Sequence, residues 1–376
     1  MPETAERAAT VERIGRELRV LMRIPGLSGH EGRVRAALAG QLRELGLATN
    51  TDRLGNLVAT IEGDRSLPSV MFITHMDQLG FVVRRIEKDG FIRVERLGGV
   101  PERALAAQPV LICVGEGRDV AGVIANKSHH ATSPEEKYKV VSYQEIYIDT
   151  GMRNADEVRA AGIDIGSPVV YLPNVIELSG SRVAGTSVDD RAGCAVQMEL
   201  ARRLVNDRAR PTVHLVFSVQ EEFNLRGAMT AVNALRPDIA IQIDLILATD
   251  TPDMAHRGEV ELGGGPAIGV YSFHGRGTLN GTLPHPALVS LMEQTARQNR
   301  IPLQRSAHIG ALTETSYVQL AHEGVAVLDA GFPCRYTHSA LEVCDLDDLA
   351  ALADLLELSV RAIDHKFSLD RDDYIG

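Results

Sequence analysis

The chain has no tryptophan, and aromatic residues make up only 4% of its 376 positions. Surfaces that stack sugar rings or unpaired bases are built on such side chains, so a carbohydrate platform and a single-strand nucleic-acid groove are both disfavoured. Cationic residues are also in deficit. Against 50 Asp and Glu stand 39 Lys and Arg, a formal net charge of -11 that argues against a polyanionic partner. The four cysteines, Cys113, Cys194, Cys334 and Cys344, form no CxxC pair and read as reduced, mostly buried thiols. No run reaches the roughly 18–20 apolar residues of a bilayer span, since even 239–248 is broken by Gln242 and Asp244. The first residues lack a basic stretch followed by an apolar one, so no secretory signal and a cytoplasmic location are expected. Serine hydrolase chemistry needs a strained turn of the GxSxG kind, which does not occur.

What is present is an ordinary globular composition, 44% hydrophobic and 24% charged, in a chain long enough for two domains. Residues 6–45 carry helical apolar spacing interrupted at 25–31, which predicts two amphipathic helices. Short β-branched runs at 52–61, 70–74, 212–219 and 239–248 read as strands, and the last three have the unbroken apolar texture of strands buried on both faces. Between 79 and 176 the texture becomes many short strands separated by Gly and charged turns, the pattern of a small all-β module. The expected fold class is therefore α/β: a mixed sheet with helices on both faces in a catalytic domain of 1–77 plus 177–376, with a β-rich domain inserted at 78–176. A long closing helix is expected over 346–364.

Chemistry-bearing residues gather at the ends of these runs. His75 and Asp77 follow one strand, Glu221 and Glu222 follow another, and Asp244 interrupts a third. In open α/β sheets, ligands collect in the crevice beyond the carboxyl ends of the strands. Two adjacent carboxylates directly after an apolar strand cannot both be buried without cations or protons, and an unpaired Asp244 inside an apolar run repeats the problem. Asp77 can accept from one ring nitrogen of His75 and so fix which nitrogen meets a metal. Asp189-Asp190-Arg191 precedes the helical stretch 192–205, and taken alone reads more readily as a helix N-cap than as a site. With Asp189 and His338 the set His75, Asp77, Glu221, Glu222 and Asp244 supplies ligands for two adjacent divalent metals and one carboxylate more. The loop 275–281 looks like a phosphate loop only superficially, because it lacks the Lys-Ser/Thr ending. His129-His130 reads as a solvated loop or as a contribution to a neighbouring subunit's active site.

Together, Phe72-Ile73-Thr74-His75-Met76-Asp77-Gln78-Leu79-Gly80-Phe81, Ser187-Val188-Asp189-Asp190-Arg191-Ala192-Gly193-Cys194, Val216-Phe217-Ser218-Val219-Gln220-Glu221-Glu222, Asp250-Thr251-Pro252 and Tyr336-Thr337-His338-Ser339 resemble the M42 metallo-aminopeptidases, a family of glutamyl and deblocking aminopeptidases that includes proteins labelled endoglucanases. The resemblance implies that His75 and Asp244 hold one metal, Glu222 and His338 the other, and that Asp189 bridges them. Glu221 would be the general base, taking a proton from the attacking water and returning it to the leaving amine, with Asp77 orienting His75. It also implies zinc or cobalt as the metals, and a homo-oligomer, most readily a dodecamer built from dimers through the inserted β-domain.

Two departures bear on substrate choice. Many members carry Gly-Gly-Gly-Thr-Asp-Ala where this chain has Gly310-Ala311-Leu312-Thr313-Glu314-Thr315, and His129 replaces a usual proline while His130 fits the family's histidine. Leu312 and Glu314 are expected in the substrate pocket wall, with His130 as a further substrate contact. The expected activity is removal of N-terminal residues from short peptides. The alternative is hydrolysis of a non-peptide amide or N-acyl small molecule on the same site; glycoside hydrolysis is a poor third, because the carboxylates are accounted for by metal. A non-catalytic scaffold that has kept the fold leaves the extra carboxylate Glu221 without a use.

Overall fold

A computed structural model describes residues 2–206, 211–274 and 281–374. The loop 275–280 and its resemblance to a phosphate loop lie outside the described residues.

The central sheet has nine strands, in the order Thr49–Thr51, Leu57–Ile61, Val213–Ser218, Val70–His75, Ile239–Leu247, Ala326–Cys334, Ala267–Phe273 and Gly281–Thr282, with Gln304–Ile309 pairing as well on Ala267–Phe273. Its middle four strands are parallel, and antiparallel pairs flank them on both sides. Alternation along these strands feeds two cores. Val70, Phe72, Leu215, Phe217, Ile241 and Leu328 face the helices Pro2–Leu21, Gly32–Glu44, Val188–Asn206, Pro286–Asn299 and Leu346–Arg361. Met71, Ile73, Val216, Ala240 and Val327 face Gly227–Leu235 and the short helix Thr315–Val318. Helices therefore cover both faces, which is why these strands lack an apolar–polar alternation.

The first two helices bury one stripe each. Ile14, Leu18 and Leu21 in one, and Val34, Leu38 and Leu42 in the other, are spaced by three or four residues and fully packed. Of the run expected as one strand over 52–61, only Leu57–Ile61 is a strand; residues 52–56 form a turn that joins it to a short strand, Thr49–Thr51, lying before the expected run. Asp52 Oδ1 accepts the backbone N–H of Leu54, Gly55 and Asn56, so a single side chain satisfies the turn that separates them.

Between the parallel neighbours Val70–His75 and Val213–Ser218 in sequence lies a closed barrel, ordered Gly80–Ile86, Ile92–Leu97, Ile148–Asp149, Val120–Ile124, Pro109–Ile112 and Pro168–Tyr171. It has its own core, including Phe81, Val94, Val110, Ile112, Ile148 and Val169. Closure removes the exposed edges that short strands otherwise present. Among the described residues, no helix is long and apolar enough to cross a membrane.

Candidate metal centre and catalytic cleft

The parallel strands Val70–His75 and Val213–Ser218 are in register, with His75 opposite Ser218 at their carboxyl ends. Glu221 and Glu222 follow directly. On the next strand Asp244 stands opposite Gly331, where a Cβ would lie 1.9 Å from the Asp244 carbonyl, so only glycine allows the two strands to approach here. The adjacent aspartates 189 and 190 divide two tasks at the start of the helix Val188–Asn206. Asp190 turns inward, accepts from Gly193 N at 2.9 Å and from the Thr74 hydroxyl, and so performs the capping role. Asp189 faces the cleft.

The two histidines are oriented alike. His75 Nδ1 donates to the carbonyl of Asp77 at 3.1 Å and His338 Nδ1 to the carbonyl of Gly99 at 2.9 Å. A carbonyl can only accept, so in each neutral ring the lone pair is at Nε2. His75 Nε2 lies 2.9 Å from Asp189 Oδ1, and His338 Nε2 lies 3.4 Å from Asp189 Oδ2. One carboxylate thus faces a separate imidazole with each oxygen. Glu222 Oε2 is 3.7 Å from His338 Nε2, while Asp244 Oδ2 and Glu221 Oε2 lie 4.0 and 3.9 Å from His75 Nε2. By distance the donors form two clusters, His75 with Glu221 and Asp244, and Asp189 with Glu222 and His338, each with its atoms within 4.8 Å of one another.

These groups repel one another in the absence of a cation. Burial, together with Glu222, Asp244 and Asp189, holds the Glu221 carboxyl well above the usual range, and burial lifts Glu222 to about 7. Asp244 is raised by burial and by Asp190 and Asp189. Burial works against a proton on His75, yet Glu221, Asp189 and Asp77 around it hold its pKa well above the ordinary value. Glu222 Oε1 is buried with no hydrogen-bond partner among the described residues. Imidazole Nε2 atoms and surplus carboxylate oxygens crowded in a buried site are the donor set that suits divalent cations.

Supporting groups fix this frame, and sequence reasoning missed most of them. The Asp77 carboxylate accepts the backbone N–H of Glu221 at 3.0 Å and of Glu222 at 3.1 Å, and also the Ser28 hydroxyl. It lies 3.5 Å from His75 Nδ1, so Asp77 holds that ring through its main chain and the two glutamates through its side chain. Glu342 does the same for the other half, accepting from Asp189 N at 3.0 Å and His338 N at 2.6 Å. A carboxylate four residues after His338, buried in the strand Glu342–Asp345, was visible by the rule that singled out Asp244.

The family described as M42 glutamyl aminopeptidase matches residues 55–355. The chain belongs to this family. It is 37% identical over 338 residues to the putative aminopeptidase SgcX of Escherichia coli (strain K12), covering 89% of this chain and 90% of that one. Its fold superposes on the aminopeptidase APDkam598 of the archaeon Desulfurococcus kamchatkensis with a TM-score of 0.88, at 32% identity and 98% coverage of both chains. A TM-score of 0.82, at 26% identity over 92% of this chain and 98% of the other, relates it to the Pyrococcus horikoshii TET1 peptidase, which can assemble into a tetrahedron or a large octahedral shell. The protein is therefore a hydrolase of aminopeptidase type, and its family implies divalent metals.

In this M42 aminopeptidase the donor clusters open into a cleft of about 570 Å³, lined in addition by Gly99, Leu247, Ser272, Leu312 and Asp329. Leu312 lies in the wall where sequence placed it. Glu314 does not. It is fully buried outside the cleft lining, with Oε1 accepting from Ala228 N at 2.6 Å and Oε2 from the Ser218 hydroxyl at 2.5 Å. The expectation of a substrate contact is corrected for a simple reason: the extra methylene relative to aspartate lets this side chain reach back and tie a strand end to the start of the helix Gly227–Leu235. His130 is exposed in the turn His129–Ala131 of the barrel region and does not line the cleft of its own chain.

Proposed function

We propose that this protein is a dinuclear aminopeptidase that removes N-terminal residues from short peptides. The observation that carries the reading is the placement of the two Nε2 atoms of His75 and His338 against the two oxygens of Asp189. His75 and Asp244 would hold one divalent cation, Glu222 and His338 the second, and Asp189 would bridge them, with zinc or cobalt suited to such N/O donors. When bound, the cations supply Lewis acidity, polarising the scissile carbonyl and favouring deprotonation of water.

The chain's own residues do the rest. Glu221 borders the cleft beside His75, with its backbone N–H fixed by Asp77, so its carboxylate is positioned to take a proton from the attacking water and give it to the leaving amine. Cation binding would lower its raised pKa toward the ionised form that a base requires. Distance alone also groups Glu221 with His75 and Asp244. The Glu221 and Glu222 roles separate experimentally, because a base can lose its charge without loss of metal and a ligand cannot.

The domain division follows from the same reading. Residues 1–77 plus 177–376 would form the catalytic unit, and 78–176 the assembly unit, whose exposed turn at His130 could then reach a neighbouring subunit's cleft. A tetrahedral shell of identical subunits has twelve equivalent positions, so a dodecamer is the proposed assembly. Free thiols at all four cysteines suit a reducing compartment, the cytoplasm. Since Glu314 is a buried tie, it gives no support to a non-peptide amide as substrate.

The deciding assay measures metal-reconstituted protein against aminoacyl anilides, dipeptides and N-acetylated amino acids. Chelator-sensitive release of free N-terminal residues is expected, and exclusive turnover of the N-acetylated set would replace the peptide reading. A light-scattering mass near 40.7 kDa at micromolar concentration would remove the dodecamer.

A further inference from the structure

One wall of the cleft is polar but belongs to neither donor cluster. Asp329 stands on the strand Ala326–Cys334, opposite Gln242 and two residues before Gly331, the partner of Asp244. Two residues along a strand and one strand across put its backbone about 8 Å from that of Asp244. Its side chain shares the face of the sheet with that of Asp244, because residues two apart and residues paired in parallel register point the same way.

The Asp329 carboxylate is held on one side only. Oδ1 accepts the hydroxyls of Thr313 at 2.8 Å and Thr315 at 2.5 Å, while Oδ2 accepts from no described residue. The adjacent strand contributes Gly269 at this point, where a Cβ would lie 3.3 Å from Asp329 Cβ and 3.6 Å from Oδ2. Any larger residue would close over the carboxylate. Beyond it, Ser272 is only 4% exposed, and its hydroxyl has no partner among the described residues. His274 Nδ1 is buried and unpartnered as well. A buried polar group without a partner is an open hydrogen-bonding position, and two of them beside a carboxylate that is engaged through one oxygen call for a ligand with several donors.

The charge around the cleft is one-sided. No lysine or arginine among the described residues lines it, and Arg257, next to the strand Gln304–Ile309, gives its guanidinium to the Ile309 carbonyl at 2.8 Å. An acidic side chain against this wall would meet the Asp329 carboxylate with no lysine or arginine among the described lining residues to offset it. Leu247 and Leu312 add apolar surface to the lining of the cleft.

We propose that this wall is the subsite for the cationic side chain of an N-terminal lysine or arginine, with Asp329 Oδ2 as its counter-ion and Ser272 and His274 as acceptors of its remaining hydrogens. A four-carbon stem covers a distance of the order separating Asp329 from the donor clusters, its methylenes lying along Leu312 while the ammonium reaches the carboxylate. The subsite rests on the aminopeptidase reading for its orientation, with the scissile carbonyl at the clusters and the side chain directed to Asp329. It names the substrate class that the family does not fix.

The test compares L-lysine with L-norleucine, two products of equal length that differ in the terminal ammonium, by calorimetry on metal-reconstituted protein, alongside turnover of lysyl, arginyl, norleucyl and glutamyl anilides. Lysine should bind at least about tenfold tighter than norleucine, and Asp329→Asn should abolish that difference while leaving norleucine affinity unchanged. Ser272→Ala, which removes no carboxylate and disturbs no threonine, should lower the lysine preference by several-fold and so keeps the proposal open to refutation if the Asp329 variant does not fold. Equal binding of the two amino acids, undetectable lysine binding at millimolar concentration, or an Asp329→Asn change that weakens both alike overturns the proposal; the last would assign Asp329 to the α-amine. Lysine selectivity without cleavage of any anilide would leave the subsite standing and remove the peptidase reading. Cleavage with no preference for lysyl and arginyl anilides would do the reverse.

Discussion

Two kinds of buried carboxylate stand within a few residues of each other at the carboxyl end of this sheet. Asp77 and Glu314 are completely buried, and their carboxylates are provided with N–H and O–H donors: two peptide groups, a hydroxyl and the His75 ring nitrogen at 3.5 Å for Asp77, one peptide group and one hydroxyl for Glu314. Glu221, Glu222 and Asp244 have few donors and face other carboxylates instead, with one oxygen of Glu222 left alone. Burial is therefore a poor sign of function here. The supply of donors is the better one, because a carboxylate already provided with hydrogen bonds has no need of a cation, and one without them does.

The largest effect should come from the donor-poor group. Glu221→Gln keeps the shape but cannot accept a proton, so turnover should fall by about 10²–10⁴-fold while metal content stays at the wild-type level. Near-normal turnover would remove Glu221 from proton transfer, and a fall in bound metal would place it among the ligands. Next in size is Glu342, which fixes the peptide groups of Asp189 and His338. Glu342→Ala should weaken metal binding by about 10–100-fold, with Glu342→Gln recovering part of it, as measured by competition against a chromophoric chelator. Unchanged affinity in both variants would make those two hydrogen bonds irrelevant to the centre.

The donor-rich group should behave as structure alone. Glu314→Ala leaves Ala228 N without its acceptor and the Ser218 hydroxyl with only the Thr74 carbonyl at 3.3 Å, and should cost about 1–3 kcal/mol in denaturant unfolding, with metal stoichiometry intact. Its pH dependence has a definite sign. Burial raises Glu314 to about 7 from an ordinary 4.5, so the folded chain keeps a proton that the unfolded chain releases. The stability tied to that proton is complete below about pH 4.5 and is lost as pH rises toward 7. Glu314→Gln should flatten the stability profile in this window; a profile as steep as wild type would assign the slope to other groups. The smallest effect is expected at Leu312, where Leu312→Gly widens the wall of the cleft. Substrate ranking should shift by roughly 10-fold or less, without loss of metal. An identical ranking would place Leu312 outside the bound substrate's reach.

The sheet and its helices were legible because the apolar texture of the strands and the helical stripes are local properties. So was the position of His75, Glu221, Glu222 and Asp244, since charge at the end of, or inside, an apolar run has a cost that can be read without coordinates. The division of labour between Asp189 and Asp190 was not legible: adjacent residues of the same type become a cleft-facing carboxylate and a helix cap only through the turn between them. Glu314 misled because the departure was read as a change in the pocket, whereas one added methylene lets it reach Ser218 and Ala228, contacts that depend on two distant segments. Ser272 had no signal at all. Asp329, an aspartate in an apolar strand, carried the same signal as Asp244, but the space that Gly269 leaves beside its carboxylate depends on a strand pairing that the sequence does not show.

Metal stoichiometry tests the contrast between the two groups most directly. Protein stripped with chelator and reloaded should bind two divalent ions per chain, Glu222→Gln should lose one of them or bind it far more weakly, and Glu314→Gln should keep both. Fewer than two ions in the wild type, or two at wild-type affinity in Glu222→Gln, would contradict the account.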